Sequence, residues 1–168
     1  MSAVTTRASA ASVAAEVLDP ELPSLTLADL GILRGVQEDG DRVVVTITPT
    51  YSGCPAMATM RADLQVQLRA AGYAQVEVRT VLHPAWSTDW ITDDGRRKLH
   101  EAGIAPPGPV RHTSGPVPLT LLPVPRRVSC PQCGSDDTRE TSAFGSTACK
   151  AQHRCNTCDE PFDSVKEL

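Results

Sequence analysis

Two pairs of cysteines near the end of the chain constrain its fold more than any other feature. Cys130-Pro-Gln-Cys133 and Cys155-Asn-Thr-Cys158 form a C-x2-C-x21-C-x2-C pattern. Two such turns can converge four thiolates tetrahedrally on one ion, and the intervening length suits a β-hairpin that brings the turns together. Gly134 after the first pair permits the tight turn that aims backbone N–H groups at sulfur; Asp159 stands in that place after the second pair and predicts a less regular turn. Zinc is the first expectation, with rubredoxin-like iron or a cluster as the alternative, since thiolates alone do not separate these ions. Phe144 and Phe162 are the only large aromatics of residues 126–168, so this tail needs its ion to fold. Cys149 is left over, either a small buried thiol, the preferred reading, or a reactive one beside Lys150. His153 is expected on the surface rather than as a ligand.

The rest of the chain reads differently. Residues 7–18 are alanine-rich with Val13, Val17 and Leu18 on one side of a helical wheel, and Pro20 ends that pattern at Asp19. Ile32 to Glu38 and Arg42 to Thr48 flank Asp39-Gly40-Asp41, a hairpin signal, and Val43, Val45 and Ile47 alternate with Val44, Thr46 and Thr48 as in a half-buried strand. From Pro55 the period becomes helical, with Met57, Met60, Leu64, Leu68 and Ala71 on one stripe and Gly72 at the end. Ala74 to Leu82 alternates as a third strand, and a last helix runs from Asp93 to Ala102 between Thr92 and Gly103. Residues 7–103 therefore predict a small α+β domain. Residues 104–125 follow as a linker or strap; 105–125 alone hold seven of the 14 prolines, with Leu119, Leu121 and Leu122 able to dock on something apolar. Residues 126–168 form the ribbon.

Charge disfavours nucleic-acid binding, one use of such a ribbon, and no nucleic-acid partner is expected. Residues 1–103 carry 9 basic and 13 acidic side chains and residues 126–168 six and seven, so no segment has the basic surplus that phosphate binding needs. Aromatic residues are only 4% of the chain, too few for base-stacking platforms. No apolar run of membrane-spanning length and no basic-then-apolar leader occurs, and a cytoplasmic location without membrane association is expected.

The sixth cysteine, Cys54 in Pro49-Thr-Tyr-Ser-Gly-Cys54-Pro55, lies far from the others. With Pro55 as the first helical residue, Cys54 would be the cap, and the helix dipole would lower its pKa toward thiolate. A small buried hydrophobe is the plainer reading. Asp19-Pro20-Glu21 and Asp29-Leu30-Gly31 supply carboxylates in a loop that could fold beside it, or could simply cap turns. Trp86 and Trp90 suit either a docking patch or the core. No histidine has a spacing that ties it to Cys54 as a catalytic base, His83 being the nearest candidate, so a cysteine-nucleophile enzyme is disfavoured.

DPELPSLTLADLGILRGV followed by VTITPTYSGCPAM resembles the iron-sulfur-assembly domain of SufT-like proteins and cytosolic iron-sulfur targeting factors, whose motif joins a DPE loop to a cysteine in a T-x3-CP turn. HPAWSTDWITDDGRRKLHEAGIAPP together with the four-cysteine tail resembles the PaaD family, accessory subunits encoded with the phenylacetyl-CoA epoxidase. The likeness runs from about Val13 to Asp163, and SVKEL at the end falls outside it. It implies a non-catalytic accessory protein of phenylacetate degradation that assists maturation of an iron-containing partner, the oxygenase or the reductase with its cluster, its partners being those subunits or the iron-sulfur assembly machinery. It further implies that Asp19, Glu21 and Cys54 handle iron or a cluster transiently while Cys130, Cys133, Cys155 and Cys158 hold structural zinc. The alternative is a structural subunit of the oxygenase complex.

Overall fold

The computed structural model of the protein describes residues 7–51, 53–108 and 128–167, which fall into two compact units: residues up to Trp86 with Trp90–Gly95, and Ser87–Asp89 with Arg96 onward. The first unit opens with α1 (Ala10–Ala15), shorter than the predicted 7–18 helix. Ser9 caps it by accepting the N–H of Ser12 at 3.2 Å, while Arg7 is committed elsewhere, donating to Asp41 at 2.8 Å and lying 3.8 Å over the Tyr73 ring. At the other end the chain leaves the helix early because Leu18 bridges to Thr26.

β1 (Leu33–Asp39) and β2 (Arg42–Ile47) are antiparallel and turn at Gly40, whose φ of +58° is the left-handed value such a hairpin requires. Val43, Val45 and Ile47 are wholly buried and Val44 and Thr46 are half-buried, as the alternation predicts. β3 (Gln75–Thr80) lies parallel to β2, giving the order β1-β2-β3, and a parallel pair needs a crossover. That crossover is α2 (Met57–Ala70), which buries Met60, Leu64 and Leu68, packs on β3 and α1, and ends before Gly72 at φ +98°.

α3 (Asp93–Glu101) starts as expected at Thr92, whose hydroxyl accepts the Gly95 N–H at 2.9 Å, and ends at Gly103 with φ +74°. In the second unit β4 (Ile104–Ala105), β5 (Thr138–Ser142), β6 (Lys150–Cys155) and β7 (Pro161–Val165) form a sheet of order β4-β7-β6-β5. Ile104 and Ala105 pair parallel with Asp163 and Ser164, so these two residues belong to the ribbon sheet instead of starting a linker, and the units divide at Gly95–Arg96 instead of at residue 103. The rest of the expected strap, with Leu119, Leu121 and Leu122, lies mostly outside the described residues. The whole is an α+β chain, and no helix among its described residues is long and apolar enough to cross a membrane.

Candidate metal centre and thiol site

The two CxxC turns sit at one end of the ribbon, one leading into β5 and the other joining β6 to β7. Their four sulfurs all lie within 4.8 Å of one another, with Cys130 to Cys158 at 3.7 Å and Cys133 to Cys155 at 3.6 Å. Four thiolates bound at about 2.3 Å to one tetrahedral ion stand about 3.8 Å apart, so the donor set fits such an ion. Backbone N–H groups converge on the sulfurs: Ser135 on Cys133, Cys158 and Thr157 on Cys155, and Glu160 on Cys158.

These donors arise because both turns take the same backbone. Gly134 has φ +72° and Asp159, against the expectation of a less regular turn, has φ +66°. Aspartate tolerates this region better than most residues, and Arg154 holds its carboxylate with two bonds of 2.8 and 2.6 Å. The N–H of Cys158, with that of Thr157, pulls the Cys155 thiol down to about 6, whereas the crowded sulfurs and burial push Cys158 up to about 12 despite the Glu160 N–H. The crowded sulfurs thus oppose one another's ionisation, an opposition that a bound cation would relieve.

The remaining ribbon residues pack. Cys149 is buried with its sulfur 3.1 Å from the Thr147 hydroxyl and takes no part in the four-sulfur cluster. His153 is not on the surface as expected: it is 5% exposed and stacks on Phe162 at 5.5 Å, because β6 and β7 place the two rings opposite each other. Burial lowers its pKa.

The thiol of the first unit is built otherwise than predicted. The cap of α2 is Ala56, and Cys54 lies outside the helix in a turn, its N–H bonded to the Tyr51 carbonyl at 3.4 Å and its carbonyl accepting from Met57 at 3.3 Å. Its pKa is raised, not lowered. Burial is the largest cause; the Ala56 N–H and the Tyr51 hydroxyl bond the sulfur and oppose it, while the charges of Glu21 and then Asp19 add to the rise. The carboxylates of the DPE loop do therefore lie within electrostatic reach of Cys54.

The two have different duties. Asp19 is 4% exposed, and its Oδ1 accepts the N–H groups of Glu21 at 2.9 Å and Leu22 at 2.8 Å, which is the turn-capping reading made concrete. That capping carries Glu21, half-buried, toward the sulfur. Asp29 instead caps its own turn through Thr26 at 2.9 Å, and its carbonyl accepts the N–H of Thr92. Trp86 is core: its indole N–H donates to the Leu30 carbonyl at 2.9 Å, while half-buried Trp90 lies beneath Arg34.

Cys54 forms part of the wall of a groove of about 590 Å³, shared with Met57, Ala58, Arg61, Gln65 and Leu82. Sequence reasoning missed Tyr51 and Arg61. Tyr51 is in the cysteine turn itself, three residues ahead of the thiol; Arg61 could have been found as the residue one turn beyond Met57 on the same helix face.

Comparison with known proteins adds a frame to this geometry. Residues 12–80 match the family model described as iron-sulfur cluster assembly protein, and residues 114–166 match the PaaD zinc beta ribbon domain. The chain is 44% identical over 152 residues, 90% of its own length and 87% of the other's, to an Escherichia coli (strain K12) protein named as a subunit of "Putative 1,2-phenylacetyl-CoA epoxidase". Among solved structures, a domain of unknown function from Bacillus anthracis has 29% identity and a TM-score of 0.48, covering 54% of this chain and 86% of that one. A conserved hypothetical protein from Thermotoga maritima has 27% identity and a TM-score of 0.47, covering 59% and 98%.

Proposed function

Because the chain belongs to the PaaD family of phenylacetyl-CoA epoxidase subunits, we propose that it is a cytoplasmic, non-catalytic accessory protein that matures an iron-containing partner of that epoxidase. Cys54, Glu21 and Asp19 are the cargo site, taking up iron or a cluster as substrate and releasing it to the oxygenase or reductase. The observation that carries this reading is a buried thiol on the wall of a groove, with the DPE loop held by the Asp19 cap so that the carboxylates of Glu21 and Asp19 act on the sulfur. A cation reverses the sign of that interaction: it draws the proton off sulfur and is attracted by the same two charges that otherwise keep the thiol neutral. One sulfur and two carboxylates are too few to saturate iron, which keeps the cargo exchangeable.

Cys130, Cys133, Cys155 and Cys158 hold zinc in this reading, a closed site without an open position for chemistry. The test is the iron content of the epoxidase subunits from cells carrying Cys54→Ser, with zinc and folding of the variant measured alongside. Low client iron with unchanged zinc supports the reading, and full client iron overturns it. A second reading, in which the chain only holds the oxygenase complex together, draws on the name of the relative, which counts it among the epoxidase subunits. It predicts stoichiometric co-purification and indifference to Cys54.

A further inference from the structure

We propose that the outward face of α2, continuous with the Cys54 groove, is the surface on which the client docks, and that the docking segment of the client is apolar and bears carboxylates. The inference rests on the accessory reading above and names the partner chemistry of that site.

α2 is an unusual surface helix. Its buried stripe, Met60, Leu64 and Leu68, is what a helix lying on a sheet needs. Ala58, Ala62 and Val66 also recur at four-residue spacing on the other side, in solvent, where charged residues would be the ordinary choice. Val66 is 64% exposed. Small side chains in such a row let another backbone approach closely, and Val66 supplies an apolar end to it.

The row leads to the thiol. Ala58 and Ala62 line the groove with Cys54, and Leu82, 61% exposed just past the end of β3, lines it too. Leu18, 50% exposed, precedes the Asp19 that acts on Cys54. Of the four exposed large hydrophobic side chains among the described residues, Leu82 lines this groove and Val66 ends the α2 row that runs into it. Scattered apolar residues mean little, but an exposed apolar row continuous with a groove marks an interaction surface.

Charge selects the occupant. Arg61, Gln65 and Arg69 form a second row at four-residue spacing beside the alanines, and all three are at least partly exposed. Arg61 reaches the groove, and among the described residues neither it nor Arg69 is bonded to a protein acceptor. The only acidic residue of α2 is Asp63, which lies off both rows. An unpaired guanidinium row beside a small apolar row fits a segment that presents aliphatic side chains to one and carboxylates to the other. A client held there would lie beside the groove that Cys54 helps to line.

The experiment uses the tagged full-length chain produced with the remaining subunits of its own phenylacetyl-CoA epoxidase, with the retained subunits quantified at low salt. Arg61→Glu/Arg69→Glu is expected to cut retention at least tenfold, with unchanged zinc content and thermal midpoint. Cys54→Ser is expected to retain the subunits as wild type does while their iron falls. Arg61→Ala/Arg69→Ala, which introduces no new charge, is expected to give a smaller loss in the same direction and covers the case in which charge reversal disturbs folding. Equal retention by wild type and both arginine pairs, or no retention by wild type, overturns the proposal. So does a homodimer that the arginine pairs dissolve, because the face then belongs to a second copy. If the arginine pairs abolish retention but Cys54→Ser leaves client iron intact, the cargo reading fails while the docking surface stands.

Discussion

At Cys54 burial is the main cause that favours the protonated thiol, and the charges of Glu21 and Asp19 add to it. The folded pKa lies above that of an ordinary thiol, so between pH 7 and 9 the thiolate fraction is smaller than for a free cysteine and alkylation is slower. Glu21→Gln removes one of the charges that disfavour thiolate, lowers the pKa and should speed iodoacetamide modification of Cys54 several-fold at pH 8. A rate unchanged by Glu21→Gln would place the carboxylate too far away to matter. A second residue-scale test concerns Gly31, whose φ is +67° and whose added Cβ would stand 2.5 Å from the Trp90 carbonyl oxygen. Gly31→Ala is expected to cost about 3 kcal/mol in a urea titration, strain in a left-handed site adding to the steric clash. At the far end of the ribbon, Lys150 is 8% exposed and pairs with Asp163 at 3.2 Å. Asp163→Asn leaves that ammonium buried without its counter-charge and should destabilise by about 3 kcal/mol.

Among the elements, the ribbon and the three-stranded sheet depend on different forces. Beyond its cysteines the ribbon buries, among its described hydrophobic residues, Ala105, Ala151, Phe162 and Val165, of which Phe162 is the one large side chain, whereas β2 and α2 bury six aliphatic or methionine side chains of the first unit. Removing the ion with a chelator should therefore abolish amide protection in β5 to β7 while β2 and α2 keep theirs, as hydrogen exchange would read. A ribbon still protected without its ion would contradict a metal-dependent fold. The same difference decides what is legible in the sequence. The CxxC spacing locates four ligands because metal chemistry is local in sequence, and the alternation of Val43, Val45 and Ile47 locates a buried strand because its period is two. The approach of Glu21 to Cys54 stays open in the sequence, where the loop could fold beside the thiol or simply cap turns, since a contact across more than thirty residues leaves no periodic trace. The pKa of Cys54 departs from its sequence expectation for a related reason. Pro55 stands before the helix rather than at its first position, and burial by tertiary packing outweighs the dipole that a cap would have felt. His153 is buried by strand register against Phe162, which its own polarity does not foretell.

For the molecule as a whole, a segment matching an iron-sulfur cluster assembly family and a segment matching a zinc ribbon family share one chain of net charge −4. In the proposed function, the first offers an exchangeable site for cargo and the second a closed site that fixes shape. The measurement that tests this most directly is the iron content of the oxygenase–reductase complex isolated from cells whose copy of this chain carries Cys54→Ala, against wild type. The account predicts a complex deficient in iron or cluster, with the variant folded and its ribbon metal intact. A complex with full iron and full activity would contradict it and leave Cys54 as core packing in a structural subunit.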